Sequence, residues 1–405
     1  MSGWVKRRHV AMALLLGLAA ACQAPARDHG PQPPAVPTTT QAAPTPATGE
    51  SPAVPPPAPG GWRYVYVGEE LGGEFWDVVA TGPREAWAVG VRDGKAFLLG
   101  YDGSAWRPAP LPDGLGDIEV IGDLRLGASG QGGLWLFRSD DQGTRVFRRD
   151  GTGWRRLPPY QWHVGDAQVF APDDVWVIAE ERRAGHWDGA RWRTVTLPAQ
   201  AGALDAAAPD DMWAVGHRAS SATPGPLTQP AAMHWNGRAW RLVPTPAYRF
   251  PDPAPPEEDA FLTGVVALSA KEAWAVGEHT FNHGEGGPDP ADPPPIVLRW
   301  NGSTWSRHPV PTPPICCPKL APDGSGGVLL GSSGPGLGNT WRLAPDGAAT
   351  RLPRMKVDPK ASRKQYGSIE AMTRIPGTST VLAVGRLSAR AWSRAAIAEF
   401  NTNGK

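Results

Sequence analysis

The feature that most constrains this chain is a tryptophan-centred segment that recurs along its length. In its clearest form a Pro-Asp-Asp turn precedes an apolar strand, as in Ala208-Pro-Asp-Asp-Met-Trp213-Ala-Val-Gly216. Seven copies follow one another at spacings of 37 to 61 residues. They contain Trp87, Trp135, Trp176, Trp213, Trp274, Leu329 and Leu382. A period of this length indicates a repeat architecture.

Most copies carry a second signal, an Asp-Gly or Asn-Gly pair with a tryptophan three residues later, as in Asp188-Gly189 before Trp192. The Pro-Asp-Asp turn would join strands one and two. The Asp-Gly pair predicts a type I′ hairpin between strands three and four, because that turn needs positive φ at both central residues. Four short strands per repeat predict an all-β fold, a seven-bladed β-propeller of four-stranded antiparallel blades. The regular tryptophans are interpreted as packing between blades.

The ring is predicted to close through the N-terminal strand. The seventh repeat shows strands near 368–373, 381–386 and 395–400, but no Trp-Arg strand follows them. The segment at 61–67 supplies the missing pattern, because its Trp62-Arg63 opening matches Trp106-Arg107. We therefore expect this segment to complete the last blade, which protects both edges.

The hairpin that ends in tryptophan resembles the Asp-box repeat of sialidase-like propellers. It lacks the leading Ser and the second spaced Gly of that motif, so the resemblance covers the architecture. It implies one alternative function, a glycosidase or lyase. Sialidases need three converging arginines and a tyrosine with an acidic partner, whereas this chain has 6 tyrosines and inner-strand acids without matching arginines.

The first residues predict export. A basic head at Lys6-Arg7-Arg8 precedes an apolar run that ends at Ala21, which is typical of a signal peptide over 1–21. The stretch Leu18-Ala19-Ala20-Ala21-Cys22 resembles the bacterial lipobox, in which the cysteine is lipidated; Ala19 stands where that family prefers Leu. Cleavage without lipidation is the alternative.

Residues 22–60 are predicted to be a disordered tether rich in Pro, Ala and Thr, and 61–405 to be the propeller. The resemblance to lipoproteins implies a chain that is anchored by lipid to the bacterial cell membrane or outer membrane.

The long insertions should share one face of the propeller, around the mouth of its central channel. They cover 217–231 and 278–295 between strands two and three, and 247–260 and 353–367 between blades. Acidic residues open several innermost strands on this side. The predicted binding residues are Asp77, Glu119, Asp166, Asp205, Tyr248 and Glu370. A ring of acids would favour a cation or a basic ligand; scattered surface charge is the alternative interpretation.

Two further sets of residues suggest chemistry on the same face. His217, His279 and His283 begin the two longest loops between strands two and three, and imidazole with nearby carboxylates is a ligand set for zinc or another divalent metal. Ordinary surface histidines are the alternative. The adjacent Cys316 and Cys317 would form either a vicinal disulfide in an oxidising compartment or two buried thiols.

The function predicted from these features is a tethered, non-catalytic binding or assembly module, acting as a monomer. Its partner would be an extracytoplasmic protein, peptide or glycan. With 40 basic against 39 acidic residues, the chain has no electrostatic footprint for nucleic acid. No cofactor is expected apart from the divalent metal.

Overall fold

The computed structural model describes residues 61–118, 120, 122–221, 227–252, 254–283, 290–332, 340–353, 366–389 and 392–401. They lie in the second of two compact units, which spans Val54–Lys405. The signal peptide, Cys22 and the tether fall outside this part of the chain and stay predictions. The described residues form 29 strands, and none of them belongs to a helix that could cross a membrane.

Six blades are built from four consecutive strands each. Blade 1 contains β2 (Glu74–Gly82), β3 (Glu85–Arg92), β4 (Lys95–Tyr101) and β5 (Trp106–Ala109). Blade 2 contains β6 (Leu124–Ser129), β7 (Gly133–Asp140), β8 (Gly143–Asp150) and β9 (Gly153–Tyr160). Blade 3 contains β10 (Val164–Ala171), β11 (Asp174–Ala179), β12 (Arg183–Trp187) and β13 (Trp192–Thr196). In each blade every strand pairs with the next one along the chain.

Blades 4 to 6 repeat this order. Blade 4 contains β14 (Gln200–Ala208), β15 (Asp211–Ala219), β16 (Thr228–Trp235) and β17 (Trp240–Val243). Blade 5 contains β18 (Asp259–Ser269), β19 (Glu272–Thr280), β20 (Ile296–Trp300) and β21 (Trp305–Arg307). Blade 6 contains β22 (Pro318–Pro322), β23 (Val328–Ser332), β24 (Trp341–Leu343) and β25 (Ala349–Arg351).

The seventh blade combines both ends of the propeller, as predicted. Its inner edge is formed by β26 (Tyr366–Gly367) and β27 (Ala371–Arg374), which both pair with β28 (Thr380–Ala389). Next comes β29 (Trp392–Asn401), and β1 (Trp62–Val67) pairs with it antiparallel. The first strands of successive blades also contact one another all the way round, from β2 through β22 and β27 back to β2. The seven-bladed propeller closed by the N-terminal strand is therefore confirmed.

The core lies between the blades. Seven clusters of buried apolar residues occupy the seven interfaces of the ring. Trp135, Trp213 and Trp274 are at most 1% exposed and belong to three different interfaces. Trp213 shows the geometry: its ring centroid lies 4.9 Å from that of Trp300 and 5.0 Å from that of Trp305, both in the next blade. The repeated tryptophans thus hold neighbouring blades together.

The turns between strands three and four differ from the prediction. Tyr101 pairs with Trp106, which leaves a four-residue loop. Gly103 has a φ of +90°, but Asp102 is not among the residues with positive φ, so the type I′ prediction is wrong. Instead Asp102 Oδ1 accepts hydrogen bonds from the N–H groups of Ser104 and Ala105, each 2.9 Å long. The Asp side chain thus acts as the cap of the loop, a role that needs no positive φ at Asp.

Two histidines belong to the repeated framework. His186 Nε2 lies 2.9 Å from Asp174 Oδ1, and its ring stacks on Trp176 with the centroids 4.4 Å apart. His234 makes the equivalent contact with Asp211 at 2.7 Å in the next blade. The second Asp of each of these two Pro-Asp-Asp turns therefore orients the side chain that covers the central tryptophan of its blade.

Candidate functional site

The two faces of the propeller differ in their loops. We call the face with the turns between strands one and two and between strands three and four the turn face. The opposite face, with the loops between strands two and three and between blades, is the loop face. The innermost strands begin at the loop face and line the central channel. The predicted binding residues therefore belong either to the mouth or to the wall of that channel.

Asp77 lies on the channel wall, where it connects two blades. The N–H of Val78 donates to Asp77 Oδ1, and the N–H of Leu126 in blade 2 donates to Asp77 Oδ2; both bonds are 2.8 Å long. Each carboxylate oxygen thus accepts a backbone hydrogen bond, one from its own strand and one from the next blade. Asp77 fastens the inner ends of blades 1 and 2.

Asp166 and Asp205 have the same role at the next interfaces. Asp166 Oδ2 accepts from the N–H of Leu204 at 2.7 Å, and Asp205 Oδ2 accepts from the N–H of Ala267 at 2.8 Å. Asp77 and Asp166 occupy equivalent positions opposite Val89 and Ile178, whereas Asp205 lies two residues further along its strand, opposite Trp213. Three of the predicted binding residues therefore connect neighbouring blades through hydrogen bonds.

Burial makes these carboxyl groups hard to ionise. Desolvation raises the pKa of Asp77, against the lowering effect of Arg125. Desolvation also raises the pKa of Asp166 to about 6, and that of Asp205 to about 7, where the charge of Asp166 adds to the effect. A buried negative charge is costly because the protein replaces water poorly as a solvent for it.

The mouth of the channel mixes both signs of charge. Glu74 and Glu370 are half-buried there, and desolvation raises the pKa of each. Arg386 faces them, with its Nη1 3.7 Å from Glu74 Oε2, and the charge of Lys319 acts on Glu370. Of the other predicted binding residues, Glu119 lies outside the described part of the chain.

Tyr248 lies away from the acids, in the loop that leads from blade 4 to blade 5. Its backbone N–H and C=O are both bonded, at 2.8 Å, by the side-chain amide of Gln229. The guanidinium of Arg307 lies 4.2 Å from the centre of its ring. Burial raises the pKa of Tyr248 to about 12, so the phenol stays protonated in the physiological range.

The three histidines of the predicted metal site have three different acidic neighbours. His279 Nε2 lies 2.7 Å from Oε1 of the buried Glu258, under the ring of Phe250. His283 Nε2 lies 3.4 Å from Asp292 Oδ1, and both side chains are more than half exposed. His217 is half-buried beside Asp259, and desolvation lowers its pKa. These side chains therefore do not converge on one point.

The structure brings together a different set of side chains. Glu278, Cys316 and Cys317 offer one oxygen and two sulfur atoms that all lie within 4.8 Å of one another, the one such group of potential metal ligands among the described residues. The two cysteines are not joined by a disulfide; Cys316 is exposed and Cys317 half-buried. The N–H of Cys317 donates to Glu278 Oε1 at 2.9 Å.

Two of the clefts on the loop face contain acidic side chains that could bind a ligand. The larger, of roughly 870 Å³, lies between blades 2 and 3. Its walls carry five acids, which are Asp117, Asp123, Asp140, Asp141 and Glu180. Arg138, His163 and Trp162 also line it, and Arg183 stacks over Trp162 at 3.6 Å from the ring centre. The smaller cleft, of roughly 250 Å³, lies between blades 5 and 6 and includes Glu278 and Cys316.

The cleft between blades 2 and 3 was not predicted from the sequence. Its acids come from the connection 110–123 between blades 1 and 2, which holds Asp117 and Asp123, and from the short loops at the ends of β7 and β11. The signal that could have found it is position, because Asp141 and Glu180 directly follow the second strands of adjacent blades, and Trp162-His163 stands directly before β10. Those positions share the loop face.

Fold and site together define a seven-bladed propeller with an acid-rich loop face. No family model matches the chain, and no curated protein matches it. Among solved structures, the extracellular domain of the putative hybrid two-component system BT4673 from B. thetaiotaomicron is similar over 83% of this chain and 39% of that one, with a TM-score of 0.52 and 10% identity.

YCF48 from Cyanidioschyzon merolae gives a TM-score of 0.49 at 12% identity, covering 84% of this chain and 99% of that one. YCF48 bound to D1 peptide gives 0.47 at 13% identity, covering 86% and 97%. At such low identity the likeness to BT4673 shows the fold alone.

Proposed function

We propose that this chain is an exported, lipid-tethered binding module whose loop face holds a basic segment of an extracytoplasmic protein or peptide. The observation that carries the proposal is the acid-rich cleft between blades 2 and 3. Arg138 is 5% exposed and lies 3.6 Å from Asp123, so its charge is already opposed within the protein. Asp117, Asp141 and Glu180 are exposed at the rim and leave an excess of negative charge there.

The chemistry of this cleft suits lysine and arginine side chains. Carboxylates around a concave surface focus the field and attract cations. The guanidinium of Arg183 already lies over the ring of Trp162, so this ring is placed where cation–π contacts form. A peptide with alternating basic and apolar residues would use both features.

The alternative of a glycosidase or lyase would need carboxyl groups that are offered to a substrate. Asp77 and Asp166 instead use both carboxylate oxygens for backbone hydrogen bonds, and Asp205 accepts from Ala206 and Ala267. This bonding favours a binding function over a catalytic one for these inner-strand acids.

The test uses the full chain on an array of basic, neutral and acidic peptides of equal length, beside a glycan array and a panel of fluorogenic glycosides. We expect binding to the basic peptides, with an affinity that falls as salt is added, because salt screens exposed charges. The variant Asp117→Asn, Asp141→Asn, Glu180→Gln should lose this binding.

A matched control changes the same number of charges on the turn face. Asp150, Asp173 and Asp210 are exposed there, so Asp150→Asn, Asp173→Asn, Asp210→Asn should bind like the wild type. Equal loss of peptide binding in both triple variants would mean that binding depends on net charge alone, which would contradict the proposed cleft. Turnover of a glycoside would contradict the non-catalytic assignment.

Tethering is tested separately in cells. Metabolic labelling with a fatty-acid analogue should mark the wild-type chain and not Cys22→Ala, because Cys22 would be the residue that accepts the lipid. A chain that is exported but unlabelled would show cleavage without lipidation and end the proposed anchor.

A further inference from the structure

A second group of side chains on the loop face lies between blades 5 and 6, apart from the acidic cleft. Glu278 is near the end of β19, the second strand of blade 5. Cys316 and Cys317 come directly before β22, the innermost strand of blade 6. The chain separates these residues widely, and the packing of the two blades brings their oxygen and sulfur atoms within 4.8 Å of one another.

The local backbone holds the cysteines in place. Cys317 has a φ of +54°, in a region that few residues other than glycine adopt. Its N–H donates to Glu278 Oε1 at 2.9 Å, so the same carboxylate fixes the backbone of the loop and faces both sulfur atoms. A constrained conformation at a cluster of reactive side chains is typical of a functional site.

We propose that Glu278, Cys316 and Cys317 bind one zinc ion through two thiolates and one carboxylate. Thiolate sulfur selects zinc and other soft metals, and a carboxylate oxygen favours zinc over monovalent copper. Binding forms two Zn–S bonds and one Zn–O bond and releases the two thiol protons to the solvent.

The surroundings fit such an ion. The charge of Lys319 acts on both Glu278 and Cys316, so it balances the net negative charge that two thiolates and a carboxylate leave on zinc. The adjoining cleft of roughly 250 Å³ is lined by Glu278, Cys316 and Asp292. Zinc with three protein ligands keeps a fourth position for water or another molecule, and the cleft gives that position access.

The test uses the full chain with Cys22→Ala, which leaves Cys316 and Cys317 as its two thiols. The reduced, metal-free protein is titrated with Zn²⁺ against a chromophoric chelator, and with Co²⁺ as a spectroscopic probe. We expect one metal per chain, release of two protons, and the near-ultraviolet absorption of a thiolate bound to cobalt.

Three variants separate the ligands from the fold. The double variant Cys316→Ser, Cys317→Ser should abolish the cobalt–thiolate absorption. Glu278→Gln keeps an oxygen that can accept from the Cys317 N–H, so it should fold and yet bind zinc more than about tenfold more weakly, as even loss of an outer partner costs roughly 10- to 100-fold. His283→Ala, in the neighbouring loop, is the control and should bind like the parent. Near-ultraviolet circular dichroism checks the fold of each variant.

Several outcomes would overturn the proposal. They are an absence of zinc binding by the reduced protein, binding that survives in the double serine variant, and binding that is lost in His283→Ala but retained in Glu278→Gln. A chain isolated as a Cys316–Cys317 disulfide that gives no zinc complex after reduction would also overturn it. None of these results bears on peptide binding by the cleft between blades 2 and 3.

Discussion

Asp205 should make the stability of the propeller fall as the pH rises through the neutral range. Desolvation raises the pKa of this carboxyl group from 3.8 to about 7, so the folded chain holds a proton that the unfolded chain releases. The stabilisation that this proton gives is fully present below about pH 3.8, the unfolded value, and is lost as the pH rises through about 7. Asp166, with a pKa raised to about 6, acts in the same direction.

The size of the effect follows from the shift. One pKa unit corresponds to about 1.4 kcal/mol, so a rise of about three units is worth ~4 kcal/mol over the whole window. About 3 kcal/mol of this falls between pH 5 and pH 8. The variant Asp205→Asn cannot ionise and lacks this contribution. Its amide can accept only one of the two backbone hydrogen bonds, which costs roughly 1 kcal/mol at every pH.

The assay is urea unfolding followed by tryptophan fluorescence at a series of pH values. The difference in free energy of unfolding between Asp205→Asn and wild type should change by about 3 kcal/mol in favour of the variant from pH 5 to pH 8. Titrating groups that do not interact with Asp205 contribute equally to both chains and cancel in this difference, whereas the coupling of Asp205 to Asp166 is part of the measured change. Asp210→Asn, at an exposed position on the turn face, should follow the wild-type curve. Parallel curves for Asp205→Asn and wild type would refute the reasoning.

Three further changes test the framework. Deletion of residues 61–67 should lower the melting temperature sharply, because it removes β1 and its 5%-exposed Trp62; an unchanged melting temperature would contradict the closure. Gly277→Ala should cost roughly 1–3 kcal/mol in urea unfolding, because the added carbon would collide with the carbonyl oxygen of Phe261, whereas Gly202→Ala, with no atom within 4 Å, should change little. Trp213→Ala should cost about 3–5 kcal/mol, because its side chain is 1% exposed; a loss below about 1 kcal/mol would argue against packing between blades.

The fold was predictable because the signals that specify it are local and repeated. Five blades bury a tryptophan at the same point of the second strand, and blades 6 and 7 bury Leu329 and Leu382 there, so the period of the sequence is the period of the structure. The closing strand could be found as well, because Trp62-Arg63 carries the pattern that the seventh repeat lacks. The type I′ prediction was wrong because an Asp-Gly pair is compatible with a two-residue hairpin and with a four-residue loop. The side-chain hydrogen bonds of Asp102 favour the longer loop.

The site was less predictable, because its contacts join residues that are distant in the chain. The acids that open the innermost strands were expected to be a ligand ring. Which backbone N–H groups of the next blade donate to Asp77, Asp166 and Asp205 depends on how the blades pack. His279 could likewise not be assigned to Glu258, because the loop that carries Glu258 folds back under Phe250.

The contact between Glu278 and the two cysteines was also not predictable from the sequence alone. Cys316-Cys317 and Glu278 were each placed at the channel mouth from their positions in the repeats. Their meeting needed one more fact, that the end of the second strand in one blade lies beside the start of the first strand in the next. The same neighbourhood occurs at the cleft between blades 2 and 3, which is lined by Asp140 at the end of β7 and by His163 directly before β10.

Side chains on the two faces of the propeller therefore differ in how much the fold depends on them. On the turn face, Asp174 and Asp211 orient the histidines that cover the central tryptophans of blades 3 and 4, so a substitution of either aspartate disturbs the core. On the loop face, the side chains at the blade interfaces, such as Asp141 or Cys316, are exposed and can change without loss of the ring. Recognition of a partner and binding of a metal can thus occupy separate blade interfaces of the same face, with a rigid core between them.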